Sequence, residues 1–226
     1  MKYLPLTHDF ISNHNSLILF DFPIKIDIKN FFIDNKKIPL LLDKNKPTFI
    51  YVWNKNNGFM EEYKINTSFF IFHYANFIEK EDFIEIYASI YDDLNFLNNK
   101  LNGSYRKLII NKKTKEVIME KRDKLEKKNI DFPIKFKDKI ILQCYTNQFI
   151  ICKDLEIVKT IKIPKGKING EHKIIYIKNK PYLICFSTTI PTQSFLIIIN
   201  LINYKRIEIP LNQDLNIGFH SIFIEK

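Results

Sequence analysis

The hydrophobic positions of the chain follow a β pattern almost from end to end. Short apolar runs rich in β-branched and aromatic residues, such as Ser16–Phe20 and Thr48–Trp53, are bounded by Asn, Asp, Lys and Pro. The segment Lys55–Gly58 predicts a hairpin turn, because Asn-Gly supplies the positive φ angles that a tight turn requires. Further strands are predicted at 69–77, 83–91, 104–110, 139–145, 148–153, 157–163, 173–177, 182–187, 194–201, 205–209 and 217–224.

The spacing of these runs indicates the fold class. They recur about every 8–12 residues with turn residues between them, which is typical of an all-β sandwich, barrel or propeller. A four-stranded propeller blade takes about 40–45 residues, so a chain of this length makes about five blades at most. No sequence repeat is sharp enough to select the propeller from the pattern alone.

Composition narrows the function classes. The chain has 226 residues, of which 46% are hydrophobic, and a formal net charge of +10. The charge suits an anionic partner, but the basic residues are scattered among acidic ones, as in the run 120–128. A nucleic-acid partner is therefore not expected. Peripheral contact with a membrane surface stays open.

Cysteine usage and the absence of targeting signals suggest where the protein acts. The three cysteines, Cys144, Cys152 and Cys185, lack CxxC spacing and lie in apolar runs, which predicts buried, reduced thiols in a cytosolic protein. The first residues contain no apolar signal-peptide core, and no stretch approaches the roughly 18 apolar residues of a membrane span. We expect a cytoplasmic protein that is soluble or at most peripheral to a membrane.

Three of the five histidines share a setting that suits either a core or a metal site. His8, His73 and His220 each lie in or beside an aromatic, strand-like segment, whereas His14 lies in a polar turn. His172 follows Glu171 at a predicted strand start, where it would suit a core or a surface position. A buried imidazole needs partners for its nitrogens, and a metal ion can satisfy several histidines together. The wide spacing matches no compact zinc motif, so only the fold can assemble such a site.

Six motifs, taken in order, resemble those of the carotenoid cleavage oxygenases. They are Thr7–Ile11 with Ser16–Pro23, Phe72–Asn76 before an acidic turn, Tyr105–Arg106, Asp131–Phe136, Gly170–Glu171, and Gly218–His220. Together they cover nearly the whole chain.

The resemblance implies a fold and a chemistry. It implies a seven-bladed β-propeller that holds one Fe(II) ion through four histidines and uses O2 to cleave a conjugated alkene into two carbonyl products. The lipophilic substrates would be carotenoids, apocarotenoids or stilbene-like phenylpropanoids. His8, His73 and His220 match the second, third and fourth ligands. Asp131 and Glu171 match carboxylates that orient His73 and His220.

The departures from the family pattern set further expectations. The family's first histidine, and the carboxylate that supports its second, precede the segment matching His8. The resemblance therefore implies that 1–226 is one propeller-type domain truncated on its N-terminal side, with about four to five blades of an incomplete ring. Asp131 stands where the family has Glu, so its side chain is one methylene shorter.

Whether the chain is an enzyme by itself stays open. It could be part of a split dioxygenase whose companion chain supplies the missing blades and ligand, or a gene remnant that is inactive alone. The alternatives are a non-catalytic, propeller-like binding module with structural histidines, and an unrelated basic all-β protein that binds an anionic surface.

Overall fold

The computed structural model describes residues 1–28, 40–94, 102–145, 147–164, 166–189, 193–213, 215, 218, 220 and 222–224. The chain forms two compact units, Met1–Pro133 and Ile134–Lys226. Both units are built from antiparallel strands. The predicted all-β class is therefore confirmed.

The first unit contains two four-stranded sheets. One has the strand order β1-β2-β5-β6 and the other β10-β9-β8-β7, while β3 and β4 form a separate pair. The strands are β1 (Ile11–Ser12), β2 (Ser16–Asp21), β3 (Ile24–Ile26), β4 (Leu40–Leu42), β5 (Thr48–Asn54), β6 (Met60–Ile65), β7 (Phe70–Glu79), β8 (Phe83–Tyr91), β9 (Gly103–Asn111) and β10 (Val117–Glu120). A 3-10 helix at Asp123–Leu125 buries Leu125.

The central strands of the first unit are covered on both faces. In β5 the residues from Thr48 to Val52 are all buried, which explains why this segment is almost continuously apolar rather than alternating. Aromatic residues fill much of this core, and Phe22 lies 4.7 Å from Phe70 between ring centroids. The predicted turn at Lys55–Gly58 joins β5 to β6, with Gly58 at a φ of +73°.

The remaining strands form two further four-stranded sheets, ordered β11-β12-β13-β14 and β15-β16-β17-β18. They are β11 (Ile130–Phe136), in which the first unit ends, and β12 (Lys139–Cys144), β13 (Gln148–Lys153), β14 (Glu156–Lys162), β15 (Lys167–Ile177), β16 (Lys180–Thr189), β17 (Gln193–Asn200) and β18 (Arg206–Pro210). The second unit has its own core, in which Phe149, Leu183 and Ile197 are fully buried. Outer strands such as β18 are largely exposed.

Most predicted strands are found within a few residues of their expected bounds, with two kinds of difference. Short or polar strands such as β6 and β11 were not predicted, because Glu61, Glu62 and Pro133 break the apolar pattern. The strand predicted at 217–224 lies partly outside the described residues. Gly218, His220 and 222–224 are described and are not in a strand. Ile222 and Ile224 are exposed and contribute no buried face.

The cysteine prediction agrees with the structure. Cys144, Cys152 and Cys185 are buried and form no disulfide. Burial raises the pKa of the Cys152 and Cys185 thiols to about 12, so both stay protonated at neutral pH. Across the described residues we find no helix with the length and apolar character to cross a membrane.

Candidate metal centre

A bulge in β7 sets the position of His73. The ladder between β7 and β8 is regular up to Ile71, shifts register between Ile71 and Tyr74, shifts again before Asn76, and is regular beyond. His73 lies inside this irregular stretch and is not paired with a residue of β8. A bulge re-aims the side chains that it carries and is common beside functional sites.

The imidazole of His73 is held by a carboxylate. The Nδ1 atom of His73 lies 2.9 Å from Oδ1 of Asp131, and 15% of the His73 side chain and 7% of the Asp131 side chain are exposed. A carboxylate only accepts hydrogen bonds, so Nδ1 is the donor, and when the ring is neutral its lone pair lies on Nε2. A carboxylate–histidine pair of this kind orients a metal ligand.

His8 lies beside His73 in the same unit. The two ring centroids are 5.0 Å apart and the rings are nearly perpendicular, at 85°. The neighbouring Asp9 helps to fix this segment, because its Oδ2 accepts a hydrogen bond from the backbone N–H of Tyr74 at 3.4 Å. The bulge in β7 therefore provides both His73 and an N–H group that holds the segment carrying His8.

An aromatic ring packs against each of these two histidines, although His8 itself is exposed. Phe72 packs edge-on against His8 with a centroid distance of 5.4 Å, and Phe132 packs against His73 at 4.8 Å. Phe132 has a φ of 48°, a left-handed conformation that costs a residue with a Cβ about 1–2 kcal/mol. The hydroxyl of Tyr91 contacts Asp131. We call His8, His73, Tyr91, Asp131 and Phe132 the His73 cluster.

In the second unit, Glu171 also lies in a bulge. The ladder between β15 and β16 shifts between Asn169 and Lys173, and Glu171 falls inside the shift. Gly170 has a φ of +75°, and a Cβ at this position would lie 3.0 Å from the backbone of Gly218. The side chain of Asn169 accepts a hydrogen bond from the Gly218 N–H at 2.6 Å. These contacts hold the segment that leads to His220 against β15.

The His220–Glu171 pair is looser than the His73 cluster. Nδ1 of His220 lies 3.7 Å from Oε2 of Glu171, and 54% of the His220 side chain is exposed. The same oxygen of Glu171 lies 3.0 Å from Nζ of Lys173. The lysine and the histidine therefore share one carboxylate oxygen.

The remaining histidines differ in environment. His14 is exposed, as its polar turn predicts. His172 is buried, with Nδ1 lying 3.2 Å from Oε1 of Gln143 and the ring edge-on to Phe149. Burial lowers the pKa of His172 to about 3, so the ring is neutral at physiological pH. His172, for which the sequence allowed either a core or a surface position, is therefore a core histidine.

The polar role of Tyr91 is not predicted by the sequence. Its hydroxyl donates to Oδ2 of Asp131 at 2.7 Å, and the side chain is almost completely buried. Tyr91 is the last residue of the apolar strand β8, so sequence alone makes it a core aromatic. Only the position of Asp131 on another strand reveals its polar role.

Solved structures with the same fold include an apocarotenoid oxygenase and a lignostilbene dioxygenase. Cobalt-substituted Synechocystis ACO has a TM-score of 0.75 and 15% identity, over 95% of this chain and 52% of that chain. Pseudomonas brassicacearum lignostilbene dioxygenase has a TM-score of 0.72 and 13% identity, over 96% and 55%. An ACO/RPE65 chimera has a TM-score of 0.74 and 15% identity, over 93% and 52%. These likenesses confirm the β-propeller fold, and the chain spans about half the length of these structures.

The sequence comparisons identify the family. None of the curated proteins searched matches the chain significantly. The family model described as RPE65, retinal pigment epithelial membrane protein, matches residues 1–152. Because this match covers more than half of the chain, the protein belongs to the retinal pigment epithelial membrane protein family, the carotenoid cleavage oxygenases that the motifs predicted.

Proposed function

We propose that the chain contributes His8, His73 and His220 to a mononuclear, non-haem Fe(II) site for the oxidative cleavage of conjugated double bonds. Asp131 and Glu171 would orient His73 and His220. Carotenoids, apocarotenoids or stilbene-like compounds are the substrate class, because the similar structures are an apocarotenoid oxygenase and a lignostilbene dioxygenase. The observation that carries the proposal is the hydrogen bond between His73 and Asp131 beside the ring of His8.

The residues present fit an iron ion. Neutral imidazoles suit Fe(II), and a set of three protein ligands leaves coordination positions open. The hydrogen bond from Nδ1 of His73 to Asp131 directs the lone pair of the ring to Nε2, the atom that would bind the metal. When bound, iron would supply the open positions at which O2 is activated.

The surroundings of His8 and His73 suit an apolar substrate. Phe72 packs against the exposed imidazole of His8, and Phe132 packs against the largely buried imidazole of His73, so each ring has apolar surface beside it. In the proposed reaction the substrate C=C bond and the O–O bond break and two C=O bonds form, so substrate and O2 account for every atom in the two products. No further reductant is required.

The chain spans about half the length of the similar structures, so we propose this activity for an assembly with a companion chain. The companion would contribute the remaining histidine and blades of the family pattern.

Anaerobic titration with Fe(II) tests the proposed ligands. The purified chain is expected to bind one iron per chain, and His73→Ala is expected to abolish stoichiometric binding because it removes the best-oriented ligand. His8→Ala and His220→Ala are expected to weaken binding. His14→Ala is the matched control, since His14 lies in an exposed turn. Wild-type protein that binds no stoichiometric iron would contradict the proposal and favour a non-catalytic propeller module.

Oxygen labelling tests the reaction itself. Iron-loaded protein, with the companion chain where the genome encodes one, is incubated with a stilbene or an apocarotenal under 18O2. Two carbonyl products that each carry label from O2 are expected. Label in neither product would contradict dioxygenase chemistry even if iron binds.

A further inference from the structure

Each carboxylate oxygen of Asp131 accepts a hydrogen bond. Oδ1 accepts from Nδ1 of His73 at 2.9 Å, and Oδ2 accepts from the hydroxyl of Tyr91 at 2.7 Å. Asp131 is 5% exposed and Tyr91 is 1% exposed. A buried carboxylate is stable only when its oxygens accept hydrogen bonds. The Tyr91 hydroxyl therefore restricts rotation of the same group that orients His73.

Gly103 allows this arrangement through its lack of a side chain. A Cβ at Gly103 would lie 2.2 Å from the carbonyl oxygen of Ile130, 2.9 Å from Cζ of Tyr91 and 3.0 Å from its hydroxyl oxygen. Ile130 directly precedes Asp131, so Gly103 lets the start of β11 approach β9 closely and leaves room for the phenol. Glycine is required here by this close approach.

The side chain of Asp131 reaches His73 although it is shorter than that of the family's glutamate. Aspartate is shorter than the glutamate of the resembling motif by one carbon–carbon bond, about 1.5 Å. The structure nevertheless has a normal hydrogen bond between Asp131 and His73. The Asp131 backbone follows Ile130, which packs against Gly103, and from this position the shorter side chain reaches His73.

We propose that Tyr91 and Gly103 are positioning residues that set the Asp131 carboxylate against His73, so that His73 stays in the Nδ1–H tautomer with Nε2 as its ligand atom. The consequence for metal binding rests on the proposed function. The consequence for the tautomer concerns the metal-free chain and does not depend on it.

The test replaces the Tyr91 hydroxyl and compares a matched tyrosine. Tyr91→Phe leaves the buried Asp131 without its second donor, and the carboxylate is then expected to rotate or to recruit water. Tyr87→Phe is the control, because Tyr87 is buried in the same strand and donates to the Glu85 carboxylate at 3.2 Å. Both variants lose one phenol–carboxylate hydrogen bond, and only Tyr91→Phe alters the His73 cluster.

Two readouts separate positioning from stability. Long-range 1H–15N spectra of metal-free, 15N-histidine-labelled protein are expected to show a single Nδ1–H tautomer for His73 in wild type and Tyr87→Phe, and exchange-averaged nitrogens in Tyr91→Phe. The Kd for Co(II), a spectroscopic probe for the iron site, is expected to rise about 10-fold in Tyr91→Phe alone.

The outcomes distinguish this inference from the proposed function. Unchanged His73 nitrogen shifts in Tyr91→Phe, together with a Co(II) Kd within twofold of wild type, would overturn the inference. Wild-type protein that binds no Co(II) would count against the metal site, while the spectra still decide the role of Tyr91.

A wild-type measurement covers the case in which Tyr91→Phe does not fold. The Tyr91 hydroxyl proton is then expected as a slowly exchanging, downfield signal in the metal-free chain. Fast exchange of this proton would refute the inference without any variant.

Discussion

The His73 cluster and the His220–Glu171 pair both combine a histidine with a carboxylate, but they differ in how closely the two groups contact each other and how deeply they are buried. Both place a histidine beside a carboxylate, and both use a strand bulge. The first has a 2.9 Å hydrogen bond between largely buried groups. The second has a 3.7 Å separation with the imidazole more than half exposed.

The difference shows that a nearby carboxylate alone does not orient a histidine. The carboxylate must itself be held in place. Asp131 accepts from Tyr91 on its other oxygen and is supported by packing at Gly103. Glu171 has a competing cation, because Lys173 lies closer to the shared oxygen than His220 does. Burial and supporting donors make the His73 cluster the more preorganised of the two.

The largest expected effect comes from disrupting the ion-pair network next to the His73 cluster. Arg106 is 1% exposed and forms hydrogen bonds with Asp92, which follows Tyr91, and with Glu126, which precedes β11. Breaking a buried pair costs about 3–5 kcal/mol. Because half of the Asp92 side chain is exposed, we expect Arg106→Met to lower the free energy of unfolding by about 3 kcal/mol.

Urea unfolding followed by Trp53 fluorescence measures this loss, because Trp53 is the one tryptophan of the chain and lies in the first unit. The control is Lys113→Met in the same unit, where an exposed Lys113 pairs with Asp82. That change is expected to cost less than about 1 kcal/mol. Equal losses in the two variants would contradict the buried role of Arg106.

The second prediction tests the packing that supports the His220–Glu171 pair. Gly170→Ala places a Cβ in a left-handed conformation and against the Gly218 backbone. Gly58→Ala is the matched control, since Gly58 has a similar φ and nothing lies within 4 Å of its Cβ position. We expect a cost of about 1 kcal/mol for Gly58→Ala and about 2–3 kcal/mol for Gly170→Ala. Thermal unfolding measures both, and hydrogen exchange at the Gly218 amide is expected to accelerate only in Gly170→Ala.

The third prediction concerns pH and the buried His172. Burial lowers its pKa from 6.5 to about 3, so between these values the unfolded chain binds a proton that the folded chain does not. Stability is therefore unaffected above pH 6.5 and falls as the pH drops, by about 2 kcal/mol between pH 7 and pH 5. Hydrogen exchange of the Leu183 and Ile197 amides measures it. In His172→Phe this part of the pH dependence should vanish, whereas in His14→Ala it should persist.

The smallest expected effect comes from removing the competitor of His220. Lys173→Met leaves Oε2 of Glu171 available to His220, so the His220–Glu171 pair should approach the arrangement of the His73 cluster. Stability should change by less than about 0.5 kcal/mol, because the lysine pair is partly exposed. In 15N spectra, His220 should shift towards the Nδ1–H tautomer. Lys178→Met is the control, and a His220 shift of equal size there would contradict the competition.

The strands of the propeller were largely predictable because most of them are short apolar runs, a pattern that is visible in the local sequence. Segments such as β2 and β5 are apolar along most of their length and bounded by turn residues, so their type and position follow from the sequence. Strand β11 was missed because Pro133 and charged residues interrupt it, and it is the edge of its sheet, where proline is tolerated. The exposed segment 222–224 was predicted as a strand because its alternation is apolar, although no burial accompanies it.

The candidate site was predictable only through the family motifs. Pattern alone left His8, His73 and His220 between core and ligand roles, and their assignment as ligands stays a prediction. The contact between Asp131 and His73 joins residues of β11 and β7, and no local periodicity encodes such a pairing. Tyr91 and Gly103 act through close packing between strands, which composition and spacing do not reveal.

The bulges of β7 and β15 share a property that bears on how such sites can change. Five residue steps separate Ile71 from Asn76, whereas three separate their partners Ile90 and Tyr87. Four steps separate Asn169 from Lys173, whereas two separate Phe186 from Ile184. Each bulge therefore adds two residues, which is one full period of side-chain alternation. Because two is an even number, the residues that follow the bulge keep the same inward or outward direction that they would have without it. Polar chemistry can thus be added to a blade, or removed from it, without reversing the residues that form its hydrophobic core.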